Sequence, residues 1–238
     1  MTQPSAAGLS GIAKERGAAH PPAMIEGEDV RLDSTIIKAA SLDELSAVNR
    51  PSSSLALCPR EMSPALSPWL DGLPEGALPN GRILVRKNEA PVALAALFAS
   101  SSLPEDDLSR ELRNDMVELI ERFAAIAGVP EVDVRVERIR HDACKRFHRD
   151  HVRMRLICCY RGPTTEWVPG SHAEDALDLQ GDYSGPLRHF PRYAVAVFKG
   201  HQHGVVHRSP PIAGSGITRL LLCLNERSTA SPPLWRPA

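Results

Sequence analysis

The chain has few of the features that mark secreted proteins. Only five of its 238 residues are cysteine, an odd number without the spacing of a disulfide framework. Residues 1–11 show no basic start followed by an apolar core, so no secretory signal is apparent. A chain of this kind is expected to keep its thiols reduced, and we therefore expect a cytoplasmic protein.

The sequence also lacks an excess of one charge and a long apolar run. Its formal net charge is −1, so no overall field attracts nucleic acid or an anionic membrane. The longest apolar stretch, residues 91–99, is too short to span a bilayer. Neither a G-x-x-x-x-G-K-[ST] phosphate loop nor a G-x-S-x-G nucleophile elbow is present. We therefore expect a small-molecule partner of unknown identity, and neither nucleic acid nor a membrane.

One region departs from this charge balance. Basic residues crowd residues 135–161, namely Arg135, Arg138, Arg140, Lys145, Arg146, Arg149, Arg153, Arg155 and Arg161. Solvated strand faces and structural ion pairs explain most clusters of this kind. The functional alternative is a rim that attracts an anionic substrate or cosubstrate. The sequence leaves both interpretations open.

The hydrophobic period divides the chain into three parts. Residues 1–30, rich in Ala, Gly, Pro and Ser, are predicted to form a disordered tail. Residues 31–130 are predicted to be the helical N-terminal part of one domain. Their strongest helix has one apolar face from Leu108 to Phe123 and stops at Gly128 and Pro130.

After Pro130 the period changes from helix to strand. Val132, Val134 and Val136 alternate with charged residues, and residues 131–228 are predicted to form the β-barrel core. The candidate strands are 131–140, 151–160, 193–199, 204–207 and 217–225. Helices followed by short strands indicate an α+β fold, with helices packed outside a small barrel. The adjacent Cys158 and Cys159 are predicted to face opposite sides of a strand and to fill core space.

Four residues in one order carry the chemistry. His148-x-Asp150 places two potential ligands on one face of an extended strand, and the even-numbered residues 152–160 are predicted to continue that face inward. His207 follows 57 residues after Asp150, at the end of an apolar run. Two imidazoles and one carboxylate form the facial triad that holds non-haem iron(II) with open coordination positions. We therefore expect a metal site at His148, Asp150 and His207.

Arg219 is the fourth residue of this set. It stands alone in the apolar strand Ile217-Thr-Arg-Leu-Leu-Leu222, where a buried charge requires a partner. A protein carboxylate is one possible partner. The other is the carboxylate of a bound organic acid, which an arginine holds by a bidentate contact.

The pattern H-x-D, then His, then Arg about a dozen residues later resembles the iron(II)/2-oxoglutarate-dependent dioxygenases. More closely, five runs look like a bacterial family catalogued as domain of unknown function 1826. These runs are C-K-R-F-H-R-D at 144–150, R-L-I-C-C-Y-R-G-P at 155–163, T-E-W at 165–167, F-K-G at 198–200 and H-R-S-P-P at 207–211.

The dioxygenase resemblance implies a double-stranded β-helix, a jelly-roll-like barrel, with the helical part packed on it. It implies an oxidoreductase of unknown substrate that uses Fe(II) and 2-oxoglutarate. His148, Asp150 and His207 would be the iron ligands, and Arg219 would bind the cosubstrate carboxylate. Tyr160 or Thr165 would add a hydrogen bond to the cosubstrate.

A second histidine cluster supports an alternative. His201 and His203 share a strand parity with His207, and together with a carboxylate or a thiol they could hold zinc tetrahedrally. The alternative function is a non-catalytic zinc- or iron-binding protein involved in metal handling, which uses His148, Asp150 and His207 with or without His201 and His203. His172-x-Glu174 is a weaker copy of the ligand pair, in a loop or at a helix start.

Overall fold

The structure, a computed structural model, describes residues 35–237. The tail predicted for residues 1–30 lies outside this range. Within it the chain forms a mixed fold of helices and strands around a large, mostly antiparallel sheet, as the change of period near Pro130 indicates.

The strands of the described residues build two sheets. In chain order they are β1 (Ile36–Lys38), β2 (Leu55–Cys58), β3 (Gly81–Arg86), β4 (Glu131–Ile139), β5 (Met154–Arg161), β6 (Glu166–Trp167), β7 (Arg188–His189), β8 (Val195–Lys199), β9 (His207–Arg208) and β10 (Arg219–Glu226). The large sheet has the order β1-β2-β8-β5-β10-β4-β3, and the small sheet has the order β7-β6-β9. Among these strands only β1 and β2 pair in parallel.

The helices of the described residues are mostly short. The α-helices are α1 (Leu66–Gly72), α2 (Ala90–Ala99), α3 (Asp107–Ala127) and α4 (Ala173–Leu179). The 3₁₀ helices are Leu42–Asn49, Glu75–Ala77, Lys87–Glu89, Gly170–His172, Gln180–Asp182 and His201–His203. No helix between Thr35 and Pro237 combines the length and the apolar content that crossing a bilayer requires.

Helix α3 begins and ends where its sequence predicts. The Asp106 carboxylate accepts from the backbone N–H of Ser109 at 2.8 Å, and the Ser109 hydroxyl accepts from the Asp106 N–H at 3.0 Å. This reciprocal capping box satisfies donors that the first turn would otherwise leave free. At the other end Gly128 adopts the left-handed conformation with φ of 66°. The apolar face of the helix packs on β4 and β10.

The large sheet is buried on both faces because its central strands are apolar at consecutive positions. Leu220, Leu222 and Leu224 of β10 face the helices and pack in the same cluster as Leu112 of α3. The other face meets the small sheet across what we call the inter-sheet layer. This layer contains Leu55, Ile139, Ile157, Cys159, Trp167, Phe190, Ala196, Phe198, Val205, Ile212, Leu221 and Cys223.

The prediction that Cys158 and Cys159 face opposite sides is confirmed. Cys158 belongs to the helix-facing cluster and Cys159 to the inter-sheet layer, and both are buried. Helix α4 covers the outer side of the small sheet, where Phe147 and Val206 pack against Ala173 and Ala176.

The N-terminal part is less purely helical than the sequence predicts. Residues 31–130 contribute β1, β2 and β3 to the large sheet, in addition to α1, α2 and α3. These strands have three, four and six residues and are surrounded by proline, glycine and serine. Short apolar runs of this length carry no decisive period, and only the neighbouring strands identify them as strands.

Candidate metal centre

Backbone pairing brings the two proposed histidine ligands side by side. His148 forms an isolated antiparallel bridge with His207, the first residue of β9. The N–H of His148 donates to the carbonyl of His207 at 3.0 Å, and the N–H of His207 donates back at 3.1 Å. The ring centroids lie 4.5 Å apart, and the His207 ring also packs edge-on against Phe198 at 4.9 Å.

Asp150 completes a compact group with these histidines. One ligand atom from each of the three residues lies within 4.8 Å of the other two, a spacing that could hold a metal ion. The Nε2 atom of His148 is 3.6 Å from Oδ1 of Asp150, and Nε2 of His207 is 3.6 Å from Oδ2. Asp150 and His207 are buried, and His148 is partly exposed, so the group opens toward solvent on the His148 side.

Hydrogen bonds to the backbone set the tautomer of both rings. Nδ1–H of His148 donates to the carbonyl of Arg146 at 2.8 Å, and Nδ1–H of His207 donates to the carbonyl of Val205 at 2.9 Å. A carbonyl only accepts, so the proton lies on Nδ1 and the Nε2 lone pair is free. Metal-ligating histidines are commonly held in this way.

Asp150 has one satisfied oxygen and one unsatisfied oxygen. Oδ1 accepts from Nη1 of Arg155 at 2.5 Å, and Nε of Arg155 donates to the side-chain carbonyl of Asn225 at 2.7 Å. Oδ2 is buried without a hydrogen-bond partner among the described residues. A buried carboxylate oxygen without a donor is costly, and a cation bound there would remove that cost. The donor set therefore fits a metal ion.

The electrostatics favour the charge states that a metal ion needs at Asp150 and His207. Burial lowers the pKa of His207 to about 4, which keeps its ring neutral at neutral pH. Burial alone would raise the pKa of Asp150, but the adjacent His148 ring and the charge of Arg155 outweigh it, so that pKa is lowered. The adjacent Asp150 carboxylate in turn raises the pKa of His148. Asp150 is thus an anion, and His207 is an uncharged ligand.

The even-numbered residues of β5 face an apolar interior, as predicted, but that interior lies on the helix side of the large sheet and not on the side of the metal ligands. Residues 151–153 form a bend, and β5 begins only at Met154. Because the bend interrupts the alternation, Met154 and Tyr160 face the helices, whereas Arg155, of the opposite parity, reaches Asp150. Regular alternation from Asp150 would instead place Arg155 on the opposite face of the strand.

Arg219 lies on the inter-sheet face of β10, where its strand partner is Ile139 of the same layer. The side chain is completely buried. Its Nε donates to the carbonyl of Pro163 at 2.7 Å, while Nη1 and Nη2 have no partner among the described residues. No described protein carboxylate fills the role of partner that the sequence left open.

A close backbone approach accommodates this arginine. Gly162 has a φ of +77°, and a Cβ atom there would lie 3.0 Å from Cγ of Arg219 and 2.9 Å from the carbonyl oxygen of Thr218. Any other residue would be strained in conformation and crowded by the backbone. Gly162 therefore allows the guanidinium to lie beside the connection between β5 and β6.

The two other residues assigned to cosubstrate binding lie on different sides of the large sheet. Thr165 is buried in the connection after Pro163, and its carbonyl accepts from the N–H of Phe190. Tyr160 faces the helices, where its hydroxyl donates to Asp115 of α3. Tyr160 therefore cannot contact a ligand held by Arg219, and its assignment is corrected.

The second histidine cluster is not assembled. His201 and His203 are exposed in a 3₁₀ turn, and across residues 35–237 the one group of three or more metal-ligating side chains is His148, Asp150 and His207. His172 precedes α4, and Glu174 pairs with Arg149 at 2.7 Å. The pattern of strand parity fails here because residues 201–203 are not extended.

The basic cluster consists largely of paired charges. Arg135, Arg138, Arg140, Lys145, Arg149, Arg153 and Arg155 each lie within 4.0 Å of an acidic oxygen. This arrangement favours the structural interpretation over an anion-attracting rim.

Sequence reasoning missed Arg155, which holds the Asp150 carboxylate, and Asn225, which holds Arg155. The one available signal was Asn225 itself, a polar residue that follows five apolar ones in Leu220-Leu-Leu-Cys-Leu-Asn225. A buried amide in such a run requires a polar partner, but the sequence does not say which one.

The fold and the site define a class: a mixed α/β protein with a His–Asp–His group suited to a metal ion. The chain belongs to the family described as "Protein of unknown function (DUF1826)", whose sequence model matches residues 39–225. The resemblance that the sequence runs indicate is thereby confirmed. No curated protein matches the chain in sequence.

Several solved structures are similar to this chain. One is the dioxygenase for auxin oxidation 1 from Arabidopsis thaliana in a binary complex with 2-oxoglutarate, with 12% identity over 83% of this chain and 95% of that chain, and a TM-score of 0.45. Another is a full-length Neurospora crassa protein in complex with alpha-KG, with 11% identity over 87% and 90% and a TM-score of 0.38. A third is AviO1 from Streptomyces viridochromogenes Tue57, with 17% identity over 83% and 99% and a TM-score of 0.38. At these low TM-scores, neither fold nor activity is inferred from them.

Proposed function

We propose that this protein is an iron(II)/2-oxoglutarate-dependent oxygenase of unknown substrate. The observation that carries the proposal is Arg219, a completely buried guanidinium whose Nη1 and Nη2 have no partner among the described residues. It shares the inter-sheet side of the large sheet with Arg155, which contacts Asp150. A buried cation on the same side of the sheet as a metal-binding group is what a dicarboxylate cosubstrate requires.

The strand order supports a double-stranded β-helix as the finer description of the fold. From β4 onward the chain alternates between the sheets except at β6 and β7, which follow one another in the small sheet, and the bridge at His148 is one more strand position. Within the large sheet these strands have the order β8-β5-β10-β4, and in the small sheet the order is β7-β6-β9-His148. Neighbours in both orders are antiparallel. Eight strand positions in two facing antiparallel sheets are the arrangement of a jelly roll.

Each residue of the site has a defined task in this proposal. His148 and His207 would offer Nε2 lone pairs to the ion, and Asp150 would offer Oδ2, a donor set that suits iron(II) and leaves coordination positions for other ligands. Arg219 holds the far carboxylate of 2-oxoglutarate, and Thr165 adds a hydrogen bond nearby. Iron(II) bound there, together with O₂ and 2-oxoglutarate, supplies oxidation of a substrate C–H bond with release of succinate and carbon dioxide.

The apolar surroundings strengthen these contacts. Phe198 packs against the His207 ring, and Leu221 and Cys223 occupy β10 between Arg219 and the level of Asn225. Apolar walls exclude water and thereby increase the electrostatic attraction between Arg219 and a carboxylate. They also shelter the reaction from solvent.

Anaerobic titration of metal-free protein with iron(II) and 2-oxoglutarate tests this function. We expect the visible charge-transfer band of the metal–cosubstrate chelate, and we expect His148→Ala to abolish it. His203→Ala is the matched control, because His203 is an exposed histidine outside the group, and it should keep the band. Absence of the band, with zinc bound stoichiometrically, would instead support a non-catalytic zinc- or iron-binding protein.

A further inference from the structure

Trp167 carries a buried hydrogen-bond donor without an acceptor. The residue is only 4% exposed, and its Nε1 has no partner among the described residues. Trp69, in contrast, donates its Nε1–H to Oδ2 of Asp106 at 3.1 Å. A buried indole N–H normally finds a partner, because leaving it unpaired costs free energy. Trp167 is therefore an exception that calls for a ligand.

Packing fixes the Trp167 ring. It stacks on Phe190 with ring centroids 6.0 Å apart and an interplanar angle of 21°. The guanidinium carbon of Arg188 lies 5.4 Å from the centre of the ring. A ring held in this way cannot turn freely to find an acceptor elsewhere, so the missing partner must come to it.

The chain places Trp167 at the metal-binding end of the proposed ligand site. Pro163 accepts from Nε of Arg219, and Trp167 is the strand partner of His207. The segment 163–167 therefore runs from the buried cation to the metal-binding group. Trp167 lies in the inter-sheet layer, as do the neighbours of Arg219 on β4 and β10.

The unpartnered groups along this path have complementary chemistry. Oδ2 of Asp150 requires a cation, Nη1 and Nη2 of Arg219 require an anion, and Nε1–H of Trp167 requires an acceptor. A metal ion with a short dicarboxylate satisfies all of them together. One carboxylate would meet Arg219, and the oxygens nearer the metal would lie on the His207 side, where Trp167 pairs with β9.

We infer that Trp167 binds the cosubstrate, donating its indole hydrogen bond to an oxygen of a dicarboxylate held between Arg219 and the His–Asp–His group. The inference rests on the proposed function and adds to it a residue that positions the ligand. Trp167 thereby selects for a ligand with an acceptor next to the metal, since a ligand without one would leave the indole N–H unpaired.

The first test observes the indole protons of the full-length, unaltered protein by ¹H–¹⁵N NMR. Zinc(II) serves as the diamagnetic metal and 2-oxoglutarate as the probe. The chain has three tryptophans, and Trp69→Phe and Trp235→Phe assign the remaining signal to Trp167. We expect the Trp167 indole proton to move downfield on addition of 2-oxoglutarate, while the other two stay in place.

The second test compares affinities for 2-oxoglutarate by calorimetry in the zinc(II)-loaded protein. Trp167→Phe keeps an aromatic ring to stack on Phe190 but removes the donor, and we expect a loss of roughly 10- to 100-fold, as for a hydrogen bond to a charged group. Trp235→Phe, in the C-terminal segment beside Leu84, should bind as the unaltered protein does.

The outcomes distinguish a failure of the Trp167 inference from a failure of the proposed function. Binding of 2-oxoglutarate without a shift of the Trp167 proton, or with unchanged affinity in Trp167→Phe, would overturn the role of Trp167 and leave the proposed function standing. No binding to the metal-loaded protein at all would overturn both. The NMR test needs no variant at Trp167, so it decides the question even if Trp167→Phe fails to fold.

Discussion

Each face of the large sheet carries an arginine, completely buried at Arg219 and mostly buried at Arg60, but the two side chains have different partners. On the helix side Arg60 and Asp115 form a two-pronged ion pair, in which the Nη2–Oδ2 distance is 2.7 Å, and Tyr160 also donates to Asp115. On the inter-sheet side Arg219 has one carbonyl contact and two nitrogens without a partner among the described residues. The first arrangement is complete within the protein, and the second is not.

This difference indicates that the polar groups on the helix side stabilise the fold, whereas those on the inter-sheet side bind a ligand. Charges that satisfy one another hold α3 against the sheet, and burial raises the pKa of Tyr160, so its hydroxyl stays protonated as a donor. Charges left without partners lower stability unless something else binds. The inter-sheet side carries that cost at Arg219, Asp150 and Trp167, which is why we place the ligand there.

The largest loss of stability should come from removing Asp115, the shared acceptor on the helix side of the sheet. Asp115→Ala leaves the Arg60 guanidinium and the Tyr160 hydroxyl buried without their acceptor, and we expect the free energy of unfolding to fall by about 3–5 kcal/mol. Urea denaturation measures it. The control is Asp71→Ala, which removes a more exposed partner of Arg192 and should cost less than about 1 kcal/mol. Equal losses of unfolding free energy in the two variants would show that the Asp115 network is no more important for stability than an exposed ion pair.

Metal binding at the His–Asp–His group, on the inter-sheet side, should stabilise the protein. At a free metal concentration about 100 times the dissociation constant, we expect the free energy of unfolding to rise by about 2.7 kcal/mol. Asp150→Ala should remove this gain, because it deletes the one anionic ligand of the group. Thermal denaturation with and without iron(II) under anaerobic conditions gives the comparison, and an equal gain in the variant would place the metal elsewhere.

A smaller effect should follow from loosening Asp150. Arg155→Leu removes the donor that holds Oδ1, and we expect metal affinity to fall about 10- to 100-fold, as for other residues that orient a ligand. Competition with a chromogenic chelator measures the affinity. Arg153→Leu alters a more exposed neighbour that pairs with Glu226 and should leave the affinity unchanged. Unchanged affinity in Arg155→Leu would show that Asp150 needs no such support.

The smallest effect on stability is expected at Arg219. Arg219→Met removes a buried charge that has no acidic partner among the described residues, and this gain offsets the lost hydrogen bond to Pro163. We expect the free energy of unfolding of the ligand-free protein to change by less than about 1 kcal/mol. Arg60→Met, the matched change on the other face, removes the ion-pair partner of Asp115, which then keeps only its hydrogen bond from Tyr160, and should destabilise strongly. A large loss in Arg219→Met would mean that the arginine is structural.

Some of this arrangement follows from the sequence alone. The change of period after Pro130 locates the strands, and the spacing His148-x-Asp150 with His207 downstream is enough to expect proximity. The alternation of side chains also places Cys158 and Cys159 on opposite faces. These features depend on regular local geometry, which the sequence pattern encodes directly.

Other parts depend on irregular geometry and could not be predicted. The bend at 151–153 reverses the expected parity and brings Arg155 to Asp150. The pairing of β5 with β10 shifts register between Leu220 and Leu221, next to Tyr160, so the relation of Tyr160 to Arg219 cannot be read from spacing. Bends and register shifts are set by tertiary packing, which a single sequence does not reveal.

A crystal structure of the protein grown anaerobically with iron(II) and 2-oxoglutarate tests the central claim most directly. The account predicts a metal ion on Nε2 of His148, Oδ2 of Asp150 and Nε2 of His207, with the far carboxylate of 2-oxoglutarate on Nη1 and Nη2 of Arg219. A metal ion closed off by a fourth protein ligand, with Arg219 still unpartnered, would contradict it.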